Sequence, residues 1–163
     1  MRITRDQWAI RLALVTAQRS TCLRRAVGCI LLDKHGYVLS TGYNGVAAGL
    51  PHCSEKEIHE RDDELEADVC FPFACMGAFS SSGTDLDRCE AIHAEQNALL
   101  QCRDPHLVET CYTTTSPCVT CVKLLMNTSC RRIVFVDEYP QLAAKALWLK
   151  AGRLWEQAPM IEA

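Results

Sequence analysis

The N-terminal part of the chain begins with a helical pattern of apolar residues. Residues 4–7, Thr-Arg-Asp-Gln, resemble a capping box, in which a Thr cap is followed by Gln three residues later. Trp8, Leu12 and Val15 follow at helical spacing. The pattern therefore predicts a helix that runs to about Arg19.

Two apolar runs come next, with a short polar segment between them. The runs are residues 26–32 and 37–41, and Asp-Lys-His-Gly separates them at 33–36. A polar break of this composition predicts an antiparallel hairpin. The residues Gly-Tyr-Asn-Gly at 42–45 predict a turn that ends the second strand.

The second half of the chain alternates helical and extended patterns. These patterns predict strands at 111–114 and 133–136, and helices at 92–103, from Ser116-Pro117 onward and at 141–150. Asp104-Pro105 stops the first of these helices, Pro117 suits the first position of the second, and Gly152 ends the third. Helices that alternate with short strands predict parallel crossovers and an α/β/α sandwich.

The segment at about 46–88 is irregular. Its portion 54–68 holds eight acidic residues, which is typical of a solvated helix or loop, and Ser-Ser-Ser-Gly at 80–83 marks a further loop. A length of 163 residues fits one domain better than two. We therefore expect residues 1–163 to form a single domain with an irregular insert at about 46–88.

The charge and the lengths of the apolar runs argue against two classes of partner, polynucleotides and membranes. A net charge of −3 at pH 7 argues against a polynucleotide partner, although Arg19, Arg24 and Arg25 form a local basic group. No apolar run approaches the roughly 20 residues of a membrane helix, and the charged residues near the N-terminus are unlike a signal peptide. We expect a cytoplasmic protein with no membrane partner.

Eleven cysteines are a high count for a chain of this length. Several lie inside apolar stretches that read as strands and helices, and an odd total does not suit complete disulfide pairing. In a reducing compartment, such a set indicates metal sites together with small buried thiols.

One group of residues has the spacing of a catalytic zinc site. Cys118 and Cys121 lie three apart at a predicted helix start, so both sulfurs can reach one ion, and the helix dipole favours their thiolate forms. With His93 added, a tetrahedral ion keeps a fourth position open for water, as in catalytic sites. Glu95, which opens a different predicted helix together with His93, can take a proton from that water and later deliver it to a leaving group.

Each motif alone has a simpler interpretation. A Cys-x-x-Cys can be a redox pair or half of a structural site, and a lone His-x-Glu means little. Together they are a known signature of zinc nucleobase deaminases. A non-enzymatic zinc-binding module, which is the alternative from a different class, needs four ligands and no proton carrier such as Glu95.

Further motifs resemble the deoxycytidylate deaminase family, over roughly residues 5 to 140. The matching segments are Arg19-Ser20-Thr21-Cys22, Val27-Gly28, Thr41-Gly42-Tyr43-Asn44-Gly45, His93-Ala94-Glu95-Gln96-Asn97-Ala98 and Ser116-Pro117-Cys118. The resemblance implies hydrolysis of dCMP to dUMP and ammonia, which supplies dUMP for thymidylate synthesis. It also implies a cytidine deaminase-like fold with a five-stranded mixed sheet between helices, and a homo-oligomer, commonly a hexamer.

The resemblance also implies roles for residues that bind the substrate. Asn44 would hydrogen-bond the nucleotide, and Ser116 belongs to the segment that would position the exocyclic amine. Arg24 is the candidate for the 5′-phosphate, with Arg25 and Arg19 in reserve, and an exposed surface arginine is the alternative. Tyr139 matches a tyrosine near the nucleotide, although a core or rim tyrosine is equally compatible.

Bacterial and viral members of that family often carry a second, structural zinc held by loop residues. By this resemblance the ligands are Cys22, Cys53 and Cys89, with Cys75 as the fourth and Cys70, His52 and His59 as substitutes. Such a site would hold the segment 46–88 in place, and free thiols are the alternative. Cys29, Cys102, Cys111 and Cys130 lie in regular elements and are interpreted as packing residues.

Regulation and substrate choice stay open at this point. Family members that respond to dCTP as activator and dTTP as inhibitor, with Mg²⁺ on the nucleotide, usually have Pro in the loop after Asn-Gly. This chain reads Gly-Val-Ala-Ala-Gly at 45–49, which leaves Gly45 and Gly49 as candidate allosteric positions. Alternative substrates within the superfamily are a free nucleoside, a pterin-like ring or a tRNA base; the last needs a basic, aromatic channel that the composition does not favour.

Overall fold

The computed structural model describes residues 2–55 and 88–158, and between them residues 75, 77–78, 80–81 and 83–84. The acidic stretch 54–68 lies outside these residues apart from its first two positions. No helix in the described ranges is long and apolar enough to span a bilayer.

Helices and strands alternate along the described parts of the chain. Their order is α1 (Arg5–Ala17), β1 (Gly28–Asp33), β2 (Val38–Tyr43), β3 (Gly45–Val46), β4 (Ala91–Ile92), α2 (Ala94–Gln101), β5 (Val108–Thr115), α3 (Val119–Met126), β6 (Arg132–Asp137), α4 (Leu142–Lys150) and β7 (Leu154–Gln157), with a 3₁₀ turn at Pro105–Leu107 before β5. Thr4 and Gln7 form the predicted capping box at the start of α1.

Five strands form one mixed sheet in the order β2-β1-β5-β6-β7. The strand β1 is antiparallel to both β2 and β5, whereas β5, β6 and β7 run parallel. The short strands β3 and β4 pair with each other in a separate two-stranded sheet. The predicted hairpin of β1 and β2 is therefore confirmed, as are the parallel crossovers in the second half.

Helices cover both faces of the sheet. Along β1, Ile30 and Leu32 contact α1, whereas Cys29 and Leu31 face a second cluster that includes α2, α3 and α4. Successive strand residues point to opposite faces, so a strand buried on both sides reads as one continuous apolar run. The α/β/α sandwich with a five-stranded mixed sheet is confirmed.

The buried face of α1 differs from the apolar stripe visible in the sequence. Ala9 and Ala13 are buried, whereas Trp8 and Val15 are 37% and 61% exposed. Small residues are needed there because α1 lies against Gly28, where an added Cβ would come within 2.1 Å of the Ala13 carbonyl oxygen. Close contact between helix and strand therefore selects alanine over the larger apolar residues.

Three predicted boundaries are wrong. Residues 42–45 do not form a turn, because Gly42 and Tyr43 continue β2 and Gly45 begins β3. The helix α2 starts at Ala94 because Ala91–Ile92 is a strand. Pro117 is not the first helical residue, since it precedes Cys118, which is the N-cap of α3.

Gly42 lets α2 approach the sheet closely. A Cβ at this position would lie 2.2 Å from the Ala94 carbonyl oxygen and 2.4 Å from the Ala98 nitrogen, both in α2. Gly42→Ala should therefore displace α2 and lower the free energy of unfolding by about 1–3 kcal/mol, measured as a lower Tm by calorimetry. Thr41→Ala, at an exposed position on the same strand, is the matched control. An unchanged Tm in Gly42→Ala would contradict this account of the contact.

Candidate metal centre and active site

Three side chains with metal-binding atoms converge at the starts of two helices. His93 is the N-cap of α2, Cys118 is the N-cap of α3, and Cys121 lies in the first turn of α3. The Nδ1 atom of His93 lies 3.4 Å from each of the two sulfurs, and the three ligand atoms all lie within 4.8 Å of one another. The structure thus brings together the three ligands predicted from the sequence.

The start of α2 is held in place by local hydrogen bonds. The His93 amide donates to the Gln96 side-chain oxygen at 2.8 Å, which ties the N-cap residue to the first turn. The Asn97 side chain donates to the Tyr43 carbonyl at 2.8 Å and so ties α2 to the end of β2. These contacts orient His93 toward α3.

Hydrogen bonds favour the negative charge on one of the two thiols. They lower the pKa of Cys118 to about 4, because Cys121 and His93 both donate to its sulfur. The same bond to Cys118, together with burial, raises the pKa of Cys121, so that thiol keeps the proton. A divalent ion would displace this proton on binding. One imidazole and two sulfurs, one already favoured as thiolate, form a donor set that fits zinc.

Glu95 lies on the first turn of α2 and its side chain is buried, with 4% of the residue exposed. Burial raises the pKa of this carboxyl above its usual value. Glu95 lines the same pocket as His93 and Cys118. A buried carboxyl beside a metal-binding group, with access to a pocket, is suited to accept and donate a proton there.

The pocket lies between the metal-binding residues and the loops that follow α1 and β6. The four residues assigned to the substrate from the sequence, Asn44, Arg24, Ser116 and Tyr139, all line it. The reserve candidate Arg25 lines it as well, and the other lining residues are Cys22, Val27, Gly83, Cys89, Ala94 and Thr115. The structure thus places every predicted substrate residue at one pocket with the metal-binding group.

Comparison with known families gives a match over most of this chain. The family model described as "Cytidine and deoxycytidylate deaminase zinc-binding region" matches residues 3–137. The chain belongs to the cytidine and deoxycytidylate deaminase family. The residues that the model spans include His93, Glu95, Cys118 and Cys121.

Several members of the family are similar along most of this chain. The deoxycytidylate deaminase of Mycobacterium phage D29 is 36% identical over 137 residues, which cover 82% of this chain and 94% of that protein. The Schizosaccharomyces pombe deoxycytidylate deaminase is 31% identical over 149 residues, or 90% of this chain. The chain spans only about two fifths of the two fungal relatives, 41% for S. pombe and 39% for Saccharomyces cerevisiae.

A solved structure within the family shares the fold. The dCMP deaminase of cyanophage S-TIM5, in complex with dCMP and dUMP, superposes with a TM-score of 0.68 at 24% identity. The match covers 97% of this chain and 99% of that one. The likeness confirms the cytidine deaminase-like sandwich predicted from the sequence.

Asn44 and Ser116, which line the pocket, also make hydrogen bonds to the loops around it. The Asn44 side-chain oxygen accepts from the Ser20 hydroxyl at 2.6 Å and from the Val27 amide at 2.8 Å. The Ser116 hydroxyl accepts from the Tyr139 amide at 2.7 Å, so it joins the loops after β5 and β6. Asn44 and Ser116 therefore organise the backbone around the pocket, whatever contact each makes with a nucleotide.

The cysteines outside the deaminase motif fall into two groups. Cys29, Cys102, Cys111 and Cys130 belong to the core cluster, as predicted. Cys53 and Cys75 are buried in a separate small cluster against which Cys89 packs, and Cys22 and Cys89 line the pocket. Among the residues that the structure describes, only His93, Cys118 and Cys121 bring three ligand atoms within 4.8 Å of one another.

One of the three alternative ligands for the second metal lies within the described residues. Cys70 and His59 lie outside the described residues, and His52 is exposed. Burial and the neighbouring Cys75 and Cys22 thiols raise the pKa of Cys53 to about 12. A four-cysteine site needs thiols that lie close to one another, as Cys53 does to Cys75 and Cys22. The sulfurs of the four proposed ligands are nevertheless farther apart than the ligand atoms of His93, Cys118 and Cys121.

The two glycines proposed as allosteric have conformational roles of their own. A Cβ at Gly45 would lie 2.8 Å from the Thr21 hydroxyl oxygen, and Gly49 has a φ of +93°. Neither residue lines the pocket. Contact with an effector nucleotide stays a prediction for both.

Proposed function

We propose that this chain catalyses the hydrolytic deamination of dCMP to dUMP with release of ammonia. The proposal rests on one observation. His93, Cys118 and Cys121 bring their metal-binding atoms together, and the buried Glu95 lines the same pocket as His93 and Cys118. Relatives named deoxycytidylate deaminase support the choice of dCMP, as does the sandwich shared with a protein solved with dCMP and dUMP.

His93, Cys118 and Cys121 would hold the zinc ion, because their nitrogen and sulfurs converge on one point beside the pocket. A zinc ion with three protein ligands lowers the pKa of water to about 7, which makes hydroxide available at neutral pH. The starts of α2 and α3 also direct backbone N–H groups toward this point, which stabilises the thiolate charge.

Glu95 moves the protons of the reaction. The water oxygen bonds to the ring carbon that carries the exocyclic amine, and Glu95 passes the proton that this water loses to the adjacent ring nitrogen. The second proton of the same oxygen then moves through Glu95 to the amine nitrogen. The carbon–nitrogen bond breaks, ammonia leaves as the carbonyl forms, and the carboxylate is regenerated. Its burial and raised pKa suit both transfers.

The remaining pocket residues orient the nucleotide. Ser116 and Tyr139, which are joined by a hydrogen bond, place the segment after β5 next to the base. Asn44 fixes the loop between α1 and β1 by donating one hydrogen of its side-chain amide to the Arg25 carbonyl. A primary amide carries two hydrogens, so the second one is available to the nucleotide.

We also propose a structural zinc held by Cys22, Cys53, Cys75 and Cys89. The support is that Cys53 and Cys75 share a buried cluster with Cys89 against it, while Cys22 lies close enough to raise the pKa of Cys53. A homo-oligomer such as a hexamer, dCTP and dTTP as effectors with Mg²⁺, and a cytoplasmic location stay predictions from the resemblance and the composition.

An assay of dCMP, deoxycytidine and dCTP side by side tests the proposed substrate. The ultraviolet change on deamination gives kcat/KM for each compound. We expect the highest value for dCMP, because the metal-binding group and Glu95 contact only the base, whereas the arginines beside the pocket can distinguish a monophosphate. Equal values for deoxycytidine and dCMP would contradict the proposed substrate but not the deamination chemistry.

A further inference from the structure

The helix α3, which carries both cysteines of the metal-binding group, is short and has an unusual N-cap. It has 8 residues, and a helix of this length is marginal without contacts to the rest of the protein. Its N-cap is Cys118, in place of the Ser, Thr, Asp or Asn whose oxygen usually accepts from the first amides. The positions of the two cysteines therefore depend on what else holds the first turn of α3.

Gln141 supplies an acceptor oxygen at this helix start. Its Oε1 atom accepts from the Val119 amide at 3.1 Å, and Val119 is the first residue of α3. The first four amides of a helix have no acceptor within the helix itself, so this bond satisfies one of them from outside. The contact joins residues that are 22 positions apart and is partly buried.

The side chain of Gln141 serves α3 and not the helix that it precedes. Gln141 is the N-cap of α4, but its side chain makes no cap hydrogen bond there. Asn is a preferred N-cap because its shorter side chain reaches the first amides of its own helix. The additional methylene of Gln allows the amide oxygen to reach the neighbouring helix, so the residue type suits a role at the start of α3.

The segments that precede α3 and α4 are joined by two further hydrogen bonds. The Ser116 amide donates to the Asp137 carbonyl at 2.8 Å, and the Tyr139 amide donates to the Ser116 hydroxyl at 2.7 Å. Of the three bonds, the one from Val119 to Gln141 lies farthest along both segments and is the one that reaches α3 itself. Loss of the Gln141 oxygen would therefore release the first turn of α3 while the two segments stay paired.

Gln141 lies beside the metal-binding group and outside the substrate pocket. It lines a second cavity together with His93 and Cys118, and it is not among the residues that line the pocket with Glu95. An effect of Gln141 on the reaction would therefore pass through the metal ligands and not through contact with the nucleotide.

We propose that Gln141 is a positioning residue for the zinc thiolates. Its side-chain oxygen fixes the first turn of α3 and thereby the places of the Cys118 and Cys121 sulfurs. The inference rests on the proposed catalytic zinc. Sulfurs that are already held in place bind an ion more tightly, because less freedom of motion is lost on binding. Removal of a group that orients metal ligands typically changes metal affinity or activity by about 10- to 100-fold.

Competition for zinc with the chelator 4-(2-pyridylazo)resorcinol measures this role independently of turnover. Zinc bound elsewhere in the chain is identified from Cys118→Ser, which should keep only that fraction. In Gln141→Ala, the Kd of the catalytic ion should rise by about 10- to 100-fold. Gln141→Glu keeps an acceptor oxygen at the same reach and should restore most of the affinity.

Gln141→Asn separates metal binding from stability. The shorter side chain should cap α4 and keep the Tm at or above the wild-type value, but it should not reach Val119, so the zinc affinity should fall as in Gln141→Ala. In zinc-saturated Gln141→Asn, kcat should fall while KM for dCMP stays, because Gln141 does not line the nucleotide pocket.

The matched control is Gln157→Ala. The exposed Gln157 side chain also donates a hydrogen bond to backbone, to the Val136 carbonyl at 2.8 Å, and it lines neither cavity. The zinc affinity of this variant should equal that of the wild type.

Three results would overturn the inference. They are an unchanged zinc affinity in Gln141→Ala and Gln141→Asn, an equal loss of affinity in Gln157→Ala, and a higher KM for dCMP with the zinc affinity intact, which would place the role of Gln141 in the loop of Tyr139. A wild type that binds this zinc and does not deaminate dCMP would refute the proposed substrate and leave the inference standing. A wild type without zinc at Cys118 would refute the proposed catalytic centre, and the inference with it.

Discussion

Glu95→Gln is expected to lower kcat for dCMP by about 10²–10⁴-fold or more while the zinc content stays at the wild-type value. The amide keeps the size of the buried side chain and cannot accept the proton that water loses. The loss can exceed the range of a single proton transfer, since activation of water and departure of ammonia both depend on this carboxyl. Stopped assays at high enzyme concentration, with zinc measured by mass spectrometry, give both quantities.

A matched control is available three residues before His93. Glu90 is exposed and does not line the pocket, so Glu90→Gln should keep near-wild-type activity. Near-normal turnover in Glu95→Gln would show that another group moves the protons. Loss of zinc in that variant would show instead that Glu95 binds the metal.

Cys118→Ser should lose both the catalytic ion and the activity. Pure wild-type protein should contain about two zinc ions per chain, and this variant about one, because a neutral hydroxyl is a much poorer zinc ligand than a thiolate. Its activity should fall to the background, since without the ion no group lowers the pKa of water. Zinc content and kcat measured on the same sample test the prediction.

Cys53→Ser should have the complementary effect. It should lose the second ion and lower the Tm, because the proposed structural site ties loops together. Cys102→Ser is the control, since Cys102 is a core thiol at the end of α2 and should leave both ions bound. One zinc per chain in wild-type protein prepared without chelators would remove the structural site and leave the catalytic one.

The metal-binding group was predictable because its signals are local. Cys118 and Cys121 share one turn of a helix, and His93 and Glu95 share the start of another, so short spacings describe their relative positions. The core of the sheet was also predictable, since β1 is buried on both faces and reads as an unbroken apolar run.

The wall of the pocket was not predictable from local spacing. Gly83 lies in the irregular segment, and its place beside Tyr139 depends on hydrogen bonds from Arg24 across more than fifty residues. Similarly, no sequence pattern predicts that Arg24, and not Arg25, donates to the Ser81 and Thr84 carbonyls.

Two errors in the fold also have physical causes. The strand β7 was not assigned from the pattern because Leu154–Gln157 is short, half polar and adjacent to a helix end; only its pairing with β6 makes it a strand. Gly42 was interpreted as a turn residue, but it lies in β2, where the absence of a Cβ lets α2 approach the strand closely. A glycine inside a strand can mark such a close approach as well as a turn, so the pattern at 42–45 was misleading.

Incubation of the zinc-loaded wild type with dCMP in ¹⁸O-labelled water tests the central claim most directly. The account predicts that dCMP disappears, that ammonia forms in equal amount, and that the dUMP carries the label on the ring carbon that lost the amine. Mass spectrometry of the nucleotide and an ammonia assay on the same sample measure all three. Unchanged dCMP in the presence of fully zinc-loaded protein, or dUMP without the label, would contradict it.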